Sequence, residues 1–185
     1  MDLLVLEQQL QKCHRCDLGR RRIKLVFGKG SLTAPVMFIG EGPGEQEDIQ
    51  GQPFVGKAGQ LLDKIIAAAG FSENQVYICN VVKCRPPGNR LPNPVEVEAC
   101  KPFLREQIRS IRPRIIVCLG ALAAQTLINP DVRITRDRGA WVQKGNFKIM
   151  PTFHPAALLR DPAKKRLVWE DMKKVRDEFH RMREN

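Results

Sequence analysis

Several features are scarce or missing in this chain, and each absence excludes something. No apolar run approaches the ~20 residues a helix needs to cross a bilayer, so no membrane span is expected. The opening MDLLVLEQQL carries an acid where a secretory leader carries basic residues, and no small-residue cleavage site follows, so a cytoplasmic protein is expected. There is no internal repeat and no low-complexity tract, and 185 residues at 43% hydrophobic content suit one domain, residues 1–185, with a good core. Acids are short: 20 Asp and Glu stand against 31 Lys and Arg, a formal charge of +11. An excess of that size in a small domain points to a polyanionic partner, although charge alone does not separate DNA from RNA or anionic lipid.

What is present is organised around Val36 to Glu47, VMFIGEGPGEQE. Val36, Met37, Phe38 and Ile39 read as a fully buried strand. Gly40, Gly42 and Gly44 form a turn whose backbone can approach a ligand closely, with the ionisable Glu41 inside it. The spacing is G-x-G-x-G, so the dinucleotide-binding G-x-G-x-x-G is absent and a Rossmann cofactor site is not supported. In open α/β sheets ligands sit outside the carboxyl ends of the strands, where this turn lies. An ordinary strand-to-loop turn has the same appearance. Further apolar runs at Val76–Cys79 and Ile115–Leu119 read as strands, and Lys148–Thr152 leads into Phe153-His154-Pro155. Helical spacing marks residues 3–12, 58–69, 93–111, 121–127 and 161–183. The third of these carries its own start signal, with Asn93 as cap, Pro94 in the first position and Glu96 reaching back. Short strands are expected around Gly139 and Gly145. Strands alternating with helices imply an α/β sheet covered on both faces.

There is a C-x2-C at Cys13 and Cys16, but no second one. The other half is Cys84 and Cys100, in C-x15-C spacing. Four thiolates suit tetrahedral zinc or a cubane iron–sulfur cluster, and the missing second knuckle favours 4Fe–4S over a zinc ribbon. Cys79 and Cys118 fall inside buried strands and read as small core hydrophobes. His154 stands between a strand and a helix, followed by Pro155, apolar residues and Arg160.

With these residues assembled, the sequence resembles the family 4, iron–sulfur uracil-DNA glycosylases of bacteria and archaea. The resemblance rests on GEGPGEQED (40–48), QPFVGKAGQLL (52–62), NVVKCRPPGNR (80–90) and HPAALLR (154–160), and it runs from Cys13 to the final helix. It implies a three-layer αβα fold around a central, mainly parallel four-stranded sheet, and a 4Fe–4S cluster on Cys13, Cys16, Cys84 and Cys100. It also implies a prokaryotic monomer acting on uracil-containing single- and double-stranded DNA, with no membrane partner. The family commonly reads GEAPG where this chain has Gly42. A sister group traps uracil DNA covalently through a His in a basic insertion; the corresponding residues 86–92, PPGNRLP, hold no His.

The implied chemistry is extrusion of uracil from the duplex and hydrolysis of its bond to the sugar. Under the resemblance, Gly40, Glu41, Gly42, Glu47, Phe54, Asn80 and His154 bind the base. Phe54 offers a stacking face, unless it is a core residue. The Asn80 amide answers uracil O4 and N3–H, unless it is only a turn former. His154 donates to O2 as charge gathers there, and Glu41 orients water, with Glu47 on the pocket wall near C5. Glu45 and Asp48 read as the solvated start of a helix. Leu158 or Leu159 is expected to fill the space the base leaves, with Arg160 on a phosphate, unless these leucines belong to the core. Competing readings are a non-catalytic nucleic-acid binder with a four-cysteine metal site, and a covalent uracil-DNA trap.

Overall fold

The structure, a computed structural model, describes residues 1–184. Two helices, α1 (Leu3–Leu10) and α2 (Leu18–Arg21), precede the strands β1 (Lys29–Gly30) and β2 (Val36–Gly40). Helices α3 (Glu45–Gln50) and α4 (Lys57–Ala68) lead to β3 (Val76–Asn80), and α5 (Pro94–Ile111) leads to β4 (Ile115–Leu119). Then come α6 (Ala121–Leu127), α7 (Ile134–Asp137), the hairpin β5 (Val142–Lys144) and β6 (Phe147–Thr152), α8 (Pro155–Arg160) and α9 (Lys164–Glu184).

The sheet has six strands in the order β1-β3-β2-β4-β6-β5. Its four inner strands are parallel. The count of four therefore describes the parallel centre, and two short antiparallel edge strands extend it. β1 has only two residues, a signal too short to be read as a strand in advance, whereas β5 and β6 meet at a turn at Gly145 (φ +59°), where short strands were expected. Gly139 (φ +77°) instead follows the short helix α7.

The central strands are buried along their whole length because both faces are covered. Met37, Ile39, Ile116 and Cys118 face a core closed by α1, α5 and α6. Val36, Phe38, Ile115 and Val117 alternate to the opposite face, under α4 and α9. This is a three-layer αβα arrangement. Among the described residues no helix is long and apolar enough to cross a membrane.

Two local devices position the ends of the strands. The start of α5 is a capping box: Asn93 Oδ1 accepts from the Glu96 amide, and Glu96 Oε2 accepts from the Asn93 amide, both at 2.9 Å. At β6, Thr152 donates to the fully buried Asp171 of α9 at 2.7 Å, and Arg138 grips the same carboxylate at 2.6 and 3.0 Å. Bidentate charge-assisted bonds of this kind are geometrically demanding. They fix the strand end two residues before His154.

Candidate active site

Chain order reverses beside β2, with β3 on one side and β4 on the other, and a crevice at such a switch point is the usual ligand site of an open sheet. Here it is a cleft of about 620 Å³, lined by Glu41, Gly42, Glu47, Arg90, His154 and Arg160 among others. Gly40 ends β2 and pairs in register with Asn80, the end of β3. A Cβ on Gly40 would lie 2.5 Å from Phe54 Cζ and 2.6 Å from Asn80 Oδ1. Only glycine lets the ring and the amide meet over this strand end. The same Phe54 ring stacks on His154, with centroids 5.6 Å apart and planes at 28°. Gly40, Phe54, Asn80 and His154 thus form one contiguous group behind the cleft, assembled from four separated segments.

Asn80 is 2% exposed, and its Oδ1 has no hydrogen-bond partner. Buried polar atoms are nearly always paired, and an orphan costs about 1–3 kcal/mol. An unpaired acceptor at the carboxyl end of a sheet, directly behind a cleft, is an exception to that rule.

His154 caps α8 with its own ring: Nδ1 accepts from the Ala156 amide at 3.0 Å. The acceptor nitrogen carries no proton, so the neutral ring carries it on Nε2. Burial pushes the imidazole pKa down to about 4, and the positive charge of Arg160 adds to the effect. The ring is a neutral donor at physiological pH.

The two carboxylates separate clearly. Glu47 Oε2 accepts from the amides of Val55 (3.2 Å) and Gly56 (2.8 Å), and Oε1 accepts from that of Gly44 (3.1 Å). It lines the cleft, but as a clamp between the glycine turn and the loop in which Phe54 adopts a left-handed φ of +53°. Such a backbone persists only when its surroundings over-determine it. Glu41 has no such bonds; burial raises its pKa above the ordinary carboxylate value, and Arg160 opposes the rise. Asp48 corrects an expectation: it is 3% exposed rather than solvated, accepting from the amides of Ile23 (2.9 Å) and Lys24 (3.3 Å).

At the mouth, Leu158 is 1% exposed and packs into the core with Val168 and Met172. It cannot leave that core to enter a duplex, so the expectation for Leu158 is corrected. Leu159 is 47% exposed, and Arg160 beside it is also exposed. Across the cleft, Leu91 is 65% exposed. Its loop is held by a bidentate pair from Arg90 to Glu96 at 2.7 and 2.9 Å. The sequence signal for Leu91, a lone apolar residue between Arg90 and Pro92 in a Pro/Gly-rich loop, was present but slight.

Cys13, Cys16, Cys84 and Cys100 line a single narrow hollow with Arg22 and Lys83. Burial lifts the Cys100 thiol to about 11 and raises that of Cys84 as well. Arg22 Nη1 donates to Cys84 Sγ at 3.1 Å, while its other nitrogen holds the Leu10 and Gln11 carbonyls at 3.1 and 2.6 Å. Arg22 therefore turns inward, unlike what its place in a basic run suggests. Among the described residues, no three His, Cys, Asp or Glu side chains close around one point as they would around a single ion. Cys79 and Cys118 are fully buried in the core.

The family model for the Uracil DNA glycosylase superfamily matches residues 27–173. The chain is 45% identical to the type-4 uracil-DNA glycosylase of Thermotoga maritima, over 93% of this chain and 92% of the relative. It is 41% identical to the type-4 uracil-DNA glycosylase of Archaeoglobus fulgidus, over 91% of this chain and 88% of the relative. Identity to the type-4 enzyme of Saccharolobus solfataricus is 44%, over 95% and 86% of the two chains.

Proposed function

The chain belongs to the uracil DNA glycosylase superfamily, in its type-4 group, and from that premise we propose how its cleft excises uracil from DNA. It is a DNA-repair glycosylase: it hydrolyses the N-glycosidic bond, releasing free uracil and leaving an abasic site. The observation that carries the assignment of the cleft is the orphaned Asn80 Oδ1. Uracil presents a donor at N3 and an acceptor at O4, and one carboxamide answers both. Cytosine presents the reverse pattern and would leave buried groups unpaired, which discriminates by ~10⁴ or more in favourable sites.

Extruded uracil lies against Phe54 with its edge on Asn80. The C1′–N1 bond breaks and its electron pair passes to the base, where charge gathers on O2 and N1. His154 Nε2–H donates to O2, aided by backbone amides around Glu41 and Gly42; a preorganised donor there is worth about 3 kcal/mol. Glu41, the carboxylate without other bonds, faces the cationic sugar and orients the water whose oxygen bonds C1′. That water's proton passes to Glu41 and on to solvent, while the uracil anion leaves and takes its N1 proton from solvent. Gly40 and Glu47 act by position, one admitting the amide and ring, the other holding the Phe54 loop. We read residues 1–185 as one domain, working as a cytoplasmic monomer on single- and double-stranded DNA.

Cys13, Cys16, Cys84 and Cys100 fit a 4Fe–4S cluster, since four thiols around a hollow suit a multi-atom centre better than one zinc ion. The cluster fastens the N-terminal segment and residues 83–92 to the sheet, in a reaction that needs no electron transfer.

Incubation with a uracil-containing oligonucleotide tests the function: free uracil and an alkali-labile site are expected. A persistent protein–DNA adduct on denaturing electrophoresis, or binding with no uracil released, would support the competing readings instead.

Two further outcomes are expected. Leu159 and Leu91 are proposed to enter the space around the extruded nucleotide from the two sides of the cleft. Removing a wedge matters only where bases must be unstacked, at a few kcal/mol per step. Leu159→Ala and Leu91→Ala should each lower excision from duplex DNA by ~10-fold or more, with excision from single strands nearly unchanged. The second concerns pH. Glu41 must be ionised and His154 neutral, so activity falls as acid protonates either. Arg160 lowers both pKa values. Arg160→Gln removes that effect, so the acid limb of kcat should move to higher pH, with the loss greater at pH ~6 than at pH ~8. An unmoved limb would remove Arg160 from this role.

A further inference from the structure

Lys83 is a lysine with almost no contact with water: its side chain is 1% exposed. None of the ion pairs among the described residues includes it. Lysine is among the residues least often buried without a partner, because an ammonium group removed from water needs a counter-charge. What Lys83 has instead is the main-chain oxygen of Asn80, to which Nζ donates at 2.6 Å, and the thiols of Cys79 and Cys100 close by. It also lines the hollow shared by Cys13, Cys16, Cys84 and Cys100. Its main chain is also committed: the carbonyl accepts from the Val26 amide at 2.9 Å. One buried cation therefore stands between the four-cysteine hollow and Asn80, behind the cleft.

A cluster ligated by four thiolates is net negative, and metal-bound thiols are deprotonated. That negative charge is the partner Lys83 otherwise lacks. We propose that Lys83 is a positioning residue that joins the two sites: its ammonium balances the charge of the iron–sulfur centre and, in the same position, holds the Asn80 carbonyl so that the Asn80 amide meets the uracil edge. Arg22 reaches the same hollow through Cys84, and its other hydrogen bonds go to the Leu10, Gln11 and Cys13 carbonyls. The proposal rests on the cluster and on the base-reading role of Asn80, and it adds an energetic link between them.

The test uses iron-loaded protein, in three forms: wild type, Lys83→Met and Lys83→Gln. The readouts are iron per chain, the reduction potential of the cluster, and inhibition by free uracil. Lys83→Met removes both charge and donor. Its potential should move to more negative values, because adding an electron loses a nearby positive charge, and its affinity for uracil should fall about 10-fold, the worth of one well-placed hydrogen bond. Lys83→Gln removes the charge and keeps an N–H donor, on a side chain one bond shorter. It should show the same shift in potential with uracil affinity near wild type. Potentials equal to wild type in both variants would overturn the proposal, as would unchanged uracil affinity in Lys83→Met. Should the variants not fold, the wild type suffices, since coupling between two sites is reciprocal: saturating uracil should shift the potential of the loaded enzyme, and an unmoved potential overturns the proposal. Protein that carries no iron would instead overturn the cluster reading itself.

Discussion

Asn80→Ala should lower kcat/KM for uracil excision by about 10²–10³-fold while leaving the protein as stable as wild type or more so. Two hydrogen bonds to the base are lost, each worth about 1–1.5 kcal/mol in ordinary settings and more where the partner is left buried and unpaired. The stability expectation runs the other way from that of most core substitutions. The native amide oxygen is buried without a partner, so its removal relieves a desolvation cost of about 1–3 kcal/mol, offset by the small cavity that alanine leaves. A thermal melt beside the kinetics separates the two possibilities. If Asn80 were only a turn former, the variant would melt early and retain its specific activity.

His154→Ala should lower kcat by about 10²–10³-fold with little change in KM, as for loss of a donor that matters most in the transition state. This variant also loses the ring nitrogen that caps α8, at about 1 kcal/mol. His154→Asn separates the two roles. Asparagine is a good cap but does not place an N–H where Nε2 lies. It should keep the melting temperature and lose nearly as much activity as alanine. Near-normal kcat in His154→Asn would assign His154 a structural role.

The parallel centre of the sheet was legible because its strands are buried on both faces: VMFI and IIVCL leave no polar residue to confuse the period. The start of α5 was legible because Asn93, Pro94 and Glu96 state it locally. Of the edge strands, β5 was expected from Gly145 beside it, while the two residues of β1 carry no period. Among the site residues, Gly40, Asn80 and His154 stand at strand ends that the apolar runs themselves mark. The separation of Glu41 from Glu47 was hidden, because it depends on amides at Val55 and Gly56 that only the folded loop brings near. Leu158 and Leu159 are neighbours of the same type, and only the rotation of α8 decides that one is core and the other exposed. Arg22 and Lys83 look like any basic residues; their inward turn follows from the hollow that the cysteines form, which no local pattern records.

The central claim is that a buried carboxamide oxygen receives the N3–H of an extruded uracil. The most direct measurement is excision from a single-stranded oligonucleotide carrying 3-methyluracil in place of uracil, where no duplex must be opened. The methyl group removes the donor and occupies the place of its hydrogen. Excision should fall by ~10²-fold or more relative to uracil in the same strand. Release of 3-methyluracil at the rate of uracil would contradict the account, because the base would then be held by something other than Asn80.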